Sequence, residues 1–397
     1  MPFSDAPGGR REKRVRGSRV KSDVERRFDI DSDFGETLIH ETIGICRIPA
    51  PTFGEHNRAH YIAARLRDLG VREVDVDELH NVTALIPSEQ AGATVMLVAH
   101  IDTVFPEHTD VEPYRNGQHW HAPGIRDNSA SAAILLMLPE LVRRSGIQLS
   151  GNIRLAFSVG EEGLGNLRGI RALMKRYGQD IAAVIAVDGN LGVINHVAIT
   201  VRRLEIAVRA EGGHSWADAG KPSAVHILAR VAAKISEIHV PTAPRSALNI
   251  GTISGGTSVN AIAQAGQFAL DIRSVERSVV EDLERQVGAI VENAGQEQVS
   301  IGVNVIGDRP GGMIPADHAL VAAILEGYAS VGVKSVALPG STDANIPLSL
   351  GIPAASMGVA AGGRIHTLQE FLDPKSLPIG AGALLKAVVS FQESMKR

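Results

Sequence analysis

Four apolar, largely β-branched runs in this chain each stop on an acidic residue or a histidine, and that recurrence limits the possible folds more than any other feature. VMLVAHIDTV delivers His100 and Asp102, IRLAFSVGEEG delivers Glu161 and Glu162, AAVIAVDG delivers Asp188, and PAASMGVAAGGRIH delivers His366. Side chains i and i+2 leave a strand on the same side, so His100 and Asp102 depart the sheet together. Between these runs lie helical patterns: SASAAILLMLPELVRRSG is apolar on most faces, and RGIRALMKRYG follows Glu162. Strand alternating with helix predicts an α/β fold, with a mostly parallel sheet and helices on both faces. Open sheets of this kind bind ligands outside the carboxyl ends of their strands. With Asp127 from the glycine-led loop APGIRDN, the set holds two histidines, several carboxylates and no cysteine. Such donors suit a pair of divalent metals.

At 397 residues the chain is long for one core, so two domains are expected. The pattern changes near His196. HVAITVRRLEIAVRAEG alternates as strands, SAVHILARVAAKISEI reads as a helix, LNIGTISGG and GQFALDIRS as strands, VVEDLERQVGAIVENAG as a helix, and VSIGVNVIGD as a strand. This β-β-α-β-β-α-β order predicts an α+β unit, an antiparallel sheet with two helices on one face. Around Pro310 to Ala319 the chain returns to the first domain, and HALVAAILEGYASVG supplies a helix. The expected organisation is a basic tail over 1–30, a first domain in two parts (31–195 and 313–397), and an inserted second domain over 196–312.

The net charge of -4 gives no reason to expect a nucleic-acid or membrane-surface partner. The basic stretch before Phe28 has almost no large apolar residues and reads as a solvated tail. No apolar run approaches the ~20 residues needed to span a bilayer. The N-terminus lacks the apolar middle of a secretory signal. Cys46 is the sole cysteine, which fits a reducing, cytoplasmic setting.

His100, Asp102, Asp127, Glu161, Glu162, Asp188 and His366, in this order and at strand ends, closely resemble the dinuclear-zinc exopeptidase and amidohydrolase family. That family includes carboxypeptidase G, peptidase T, aminoacylase, acetylornithine deacetylase and succinyl-diaminopimelate desuccinylase. The motifs are H-x-D-T, G-x-x-D-N, E-E-G-x-G and a late G-x-x-H-T, and the resemblance covers nearly everything after Phe34. APGIRDNSAS and EEGLGNLRG look most like the peptidase T and carboxypeptidase G side.

The resemblance implies that His100 and Asp188 hold one metal, Glu162 and His366 the other, and that Asp127 bridges both. Zinc is expected first, with cobalt or manganese as alternatives. Asp102 then receives the other ring N–H of His100 and fixes its tautomer. Glu161 is the general base that takes the proton of a metal-bridging water. His214 in EGGHSW corresponds to a histidine that reaches a partner subunit's site and donates to the oxyanion. Arg273 in ALDIRS resembles the arginine that grips a substrate carboxylate. Asn260 in SVNAIA and Asp343 in GSTDANIP are further candidates for the substrate pocket. The Asp127–Asn128 peptide is expected to be cis.

Two departures stand out. Where many relatives carry a lysine or second aspartate after the bridging residue, this chain has Asn128 and Ser129, and the preceding loop carries His119, Trp120 and His121.

The implied activity is hydrolysis of an amide or peptide bond in a small peptide or N-acyl amino acid that bears a free carboxylate, by a homodimer. Carboxypeptidase, aminopeptidase and deacylase actions are not separated by these residues. A catalytically silent homologue that only binds a ligand or partner is the alternative, and Glu161 speaks against it, because such a chain could lose that residue most freely.

Overall fold

The computed structural model describes Phe28 and residues 30–396. The tail assigned to 1–30 lies outside the described residues apart from Phe28, which is buried in the core, and Ile30, packed against it.

The larger sheet has eight strands. Their order is Asp75–Val76, Val82–Ile86, Ile153–Ser158, Thr94–His100, Ile181–Val187, Ala354–Met357, Val193–Asn195 and Val336–Ala337. The four strands that carry the opening pattern run parallel: Thr94–His100 pairs with Ile153–Ser158 and Ile181–Val187, and the latter with Ala354–Met357. Antiparallel pairing is confined to Asp75–Val76, Val82–Ile86 and Val193–Asn195. In Thr94–His100 the last six residues are all buried, which requires cover on both faces.

The helix Ser32–Cys46 starts on Asp31, whose side chain accepts the amide of Phe34 over 2.8 Å. It buries Phe34, Leu38 and Ile45. The helix Ser131–Ser145 buries its first eight residues without a break, as its apolar composition predicts.

A second sheet lies between Thr200 and Arg309. Its order is Ser246–Gly255, Ala265–Ser274, Thr200–Ala210 and Val299–Arg309, antiparallel throughout. Along Ala265–Ser274 buried residues alternate with more exposed ones, so one face is packed. That face places Leu204, Ile206, Phe268 and Leu270 against Ile227 and Val231 of the helix Ala224–Ser236 and Leu283 and Val287 of the helix Arg277–Glu292. The chain enters and leaves this sheet side by side, because Gly312–Met313 pairs with Val197–Ala198.

A small sheet that periodicity does not reveal joins Ala361–Gly363, Phe371–Asp373, His119–His121 and Tyr114–Asn116. Three-residue strands are too short to display an alternation. His119 and His121, read from sequence as loop residues, lie in it with Phe371 between them, at ring separations of 4.9 and 5.7 Å. The chain closes with the helix Ser376–Ser394. Among the described residues no helix is long and apolar enough to cross a membrane.

Candidate active site

The carboxyl ends of the parallel strands converge with the neighbouring loops on a cavity of ≈ 210 Å³. His100, Asp127, Glu161, Glu162, Asp188 and His366 line it, joined by Arg203, Arg273, Arg309 and Ser341.

Asp127 is the centre of the arrangement. Its Oδ1 stands 3.3 Å from Nε2 of His100, and its Oδ2 stands 3.4 Å from Nε2 of His366. His366 Nε2 also lies 3.0 Å from Oε1 of Glu162. Donor atoms of His100, Asp127 and Asp188 lie within 4.8 Å of one another, as do those of Asp127, Glu162 and His366. Two potential cation positions thus share one carboxylate, and the donors are imidazole nitrogens and carboxylate oxygens, a set that fits divalent zinc, cobalt or manganese.

The loop carrying Asp127 opens on Gly124 at φ +77, where a β-carbon would meet Thr103 Cγ2 at 2.8 Å. Glycine is required there. The Asp127–Asn128 peptide is cis.

Electrostatics follow from crowding acids in a buried place. Burial and the neighbouring Asp127 raise the carboxyl of Asp188. Burial also raises Glu161 well above its ordinary range, against the pull of Arg309. Hydrogen bonds to Asp127 and Glu162 push His366 up to about 10. Burial opposes the charged form of His100, yet Asp102 and Asp127 hold its imidazole well above the usual value. Such a nest of acids favours bound cations.

Asp102 faces the other ring nitrogen of His100 through both its carbonyl and its carboxylate. The Nδ1 of His100 lies 3.1 Å from the backbone carbonyl of Asp102 and 3.6 Å from its carboxylate. The carboxylate also accepts the amides of Glu161 over 3.0 Å and Glu162 over 2.9 Å, and the hydroxyl of Thr52 over 2.9 Å. The same carboxylate thus faces the imidazole and ties down the backbone of the two glutamates.

Arg273 lines the cavity and shares Asp271 with Arg203, at 2.5 Å and 3.0 Å. Asp343 does not line it. That residue is buried behind the cavity, where it accepts the Ser158 hydroxyl over 2.5 Å, and Ser341 two positions earlier forms the wall. His214 and Asn260 also lie away from this chain's cavity, on a ribbon where Gly213–His214 pairs with Ala261–Ile262.

Sequence reasoning missed Arg309 and Glu370. Arg309 ends the last strand of the second sheet, and its Nη1 donates to Glu161 Oε1 over 3.0 Å. Glu370 is fully buried beneath the Asp127 loop. The position of Glu370 four residues after His366 was the only available signal.

A larger groove of ≈ 690 Å³ runs along the second sheet, but Arg209 is its only titratable lining residue. Volume there does not coincide with chemistry.

Known proteins resemble this chain along much of its length. A peptidase M20 domain-containing protein of Schizosaccharomyces pombe is 31% identical over 216 residues, 51% of each chain, so the match spans about half the length of that relative. A succinyl-diaminopimelate desuccinylase of Corynebacterium glutamicum is 25% identical over 333 residues, covering 81% of this chain and 88% of the relative. The crystal structure of aminopeptidase PepT from Bacillus cereus superposes with a TM-score of 0.73 at 23% identity, over 90% of this chain and 99% of that one, and shares the fold. Peptidase family M20/M25/M40 matches residues 96–390, and the chain therefore belongs to that family.

Proposed function

We propose that this protein is a two-metal hydrolase that cleaves an amide or peptide bond in a small peptide or N-acyl amino acid bearing a free carboxylate. The observation that carries the reading is Asp127, which turns one oxygen toward each of two imidazoles. On this reading His100 and Asp188 hold one ion, Glu162 and His366 the other, and Asp127 serves both. Two bound divalent cations, zinc first, would lower the pKa of a water toward ~7 and polarise the scissile carbonyl. Glu161 accepts the proton of the attacking water and returns it to the leaving nitrogen. Oε1 of Glu161 is engaged by Arg309, which leaves Oε2 for that exchange.

Arg273 receives the substrate carboxylate. Its guanidinium and that of Arg203 share a single acid, Asp271, so one positive charge is left over for a ligand. Residues 196–312 act as lid and dimerisation unit, in a homodimer located in the cytoplasm. His214 from a second copy then donates to the oxyanion. Nδ1 of His214 accepts the amides of Trp216 and Ala217 over 3.2 and 3.3 Å, which puts the ring proton on Nε2 where it can be donated. Closure of this unit over the cleft excludes water.

The test is a screen of zinc-, cobalt- and manganese-loaded protein against N-acyl amino acids, dipeptides and tripeptides. Hydrolysis by the loaded form and none after chelation is expected. Inertness of metal-loaded protein across the whole panel would sink the reading.

A further inference from the structure

One carboxylate with no role so far stands against the backbone of the Asp127 loop. Glu370 has 0% of its surface exposed. Its Oε1 accepts the amides of Arg126 over 2.8 Å and Asp127 over 2.9 Å, and its Oε2 accepts the amide of Gly124 over 3.0 Å. Three converging N–H groups make an anion-binding concavity, here filled by a side chain 243 to 246 positions away in sequence. A carboxylate presents only acceptors, so it can satisfy all three.

The same residue closes the turn that directly follows the one carrying His366. The Glu370 amide donates to the carbonyl of Thr367, and the Thr367 amide to that of Arg364, both over 3.2 Å. The strand that follows, Phe371–Asp373, pairs with Ala361–Gly363 on one side and His119–His121 on the other. The backbone of Glu370 therefore belongs to the His366 hairpin, while its side chain grips the Asp127 loop.

We propose that Glu370 is a positioning residue that locks the Asp127 loop to the His366 hairpin and so presets the spacing of the two cation positions. The inference rests on the two-metal reading above. Asp127 must offer one oxygen to each side, and any rotation of its peptide would withdraw one of them. Partners that orient metal ligands commonly account for ~10–100-fold in metal affinity.

The experiment uses the full chain, with zinc titrated against a chromophoric chelator and cobalt followed by its visible spectrum. Glu370→Gln keeps the shape but turns an NH2 group toward at least one backbone N–H. Glu370→Asp keeps the charge but shortens the reach. The expected result is zinc binding ~10–100-fold weaker in Glu370→Gln, with an altered cobalt spectrum, in a variant whose metal-free form still unfolds cooperatively. Glu370→Asp should fall between, and it carries the test if the Gln variant does not fold. Zinc affinity within twofold of the parent in a folded variant overturns the proposal. A parent chain that binds neither metal sinks the two-metal reading itself, and this inference with it.

Discussion

Arg309 holds Glu161 by two hydrogen bonds, one from Nη1 to the carboxylate over 3.0 Å and one from Nη2 to the backbone carbonyl. Both side chains are more than nine-tenths buried, one at the end of the strand Val299–Arg309 and the other in the loop after Ile153–Ser158. Substituting Arg309→Met leaves Glu161 beside Glu162 and Asp188 without its cation. Loss of one partner from a buried pair costs about 3–5 kcal/mol. The variant should unfold at lower urea, and kcat should fall by at least ~10-fold with KM little changed. Arg309→Lys should recover part of both, in urea titrations and steady-state kinetics.

Glu161→Gln separates proton transfer from metal binding. Donor atoms of Glu161 lie within 4.8 Å of those of His100 and Glu162, while Glu162 and His366 stand 3.0 Å apart. We expect kcat to drop ~10²–10⁴-fold, with metal content by elemental analysis unchanged. Equal loss of metal and activity would instead make Glu161 a ligand.

Chelation should destabilise the protein as well as silence it. Asp127, Glu161, Glu162 and Asp188 share one small cavity, and their mutual repulsion is relieved by bound cations. At a free metal concentration 100 times Kd, one site contributes about 2.7 kcal/mol. Calorimetry should show a lower melting midpoint after chelation, restored with activity by zinc, cobalt or manganese. A midpoint indifferent to metal would contradict this.

Arg273→Met should act on substrate capture. A hydrogen bond to a charged group contributes about 1.5–3 kcal/mol, so KM for a substrate with a free carboxylate should rise by ~10–100-fold. The matching carboxamide should be affected little. Equal effects on both substrates would remove Arg273 from carboxylate recognition.

Asp343 gives a pH signature. Burial pushes its carboxyl up to about 6, from 3.8. Between those values the folded chain holds a proton that the unfolded chain has lost. The stabilisation is therefore present at low pH and disappears as pH rises through about 6. Asp343→Asn can still accept from Ser158 and removes this dependence. Its stability relative to the parent should improve from pH 4 to pH 8, by up to about 3 kcal/mol in urea titrations.

Much of the site was legible because strand ends are marked twice, by β-branched runs before them and by polar residues that interrupt those runs. His100, Glu161, Glu162 and Asp188 all carry this mark. The antiparallel second sheet was equally readable, since one packed face writes an alternation into Ala265–Ser274. Arg309 was hidden because the alternation of its strand looks complete at Asp308, and nothing local says that an arginine turns toward a glutamate 148 positions away. Glu370 was hidden for the opposite reason. It sits in a polar stretch without periodicity, one of 44 acidic residues, and only its burial sets it apart.

The carboxylate of Asp102 takes the amides of both Glu161 and Glu162. A side chain that grips two consecutive peptides fixes them as one rigid piece. A shift in the backbone of Glu161 is thereby passed to the backbone of Glu162. Together with the Thr52 hydroxyl, which donates to the same carboxylate, this ties the loop after Ile153–Ser158 to the end of Thr94–His100, so the two neighbouring glutamates enter the cavity on a common backbone.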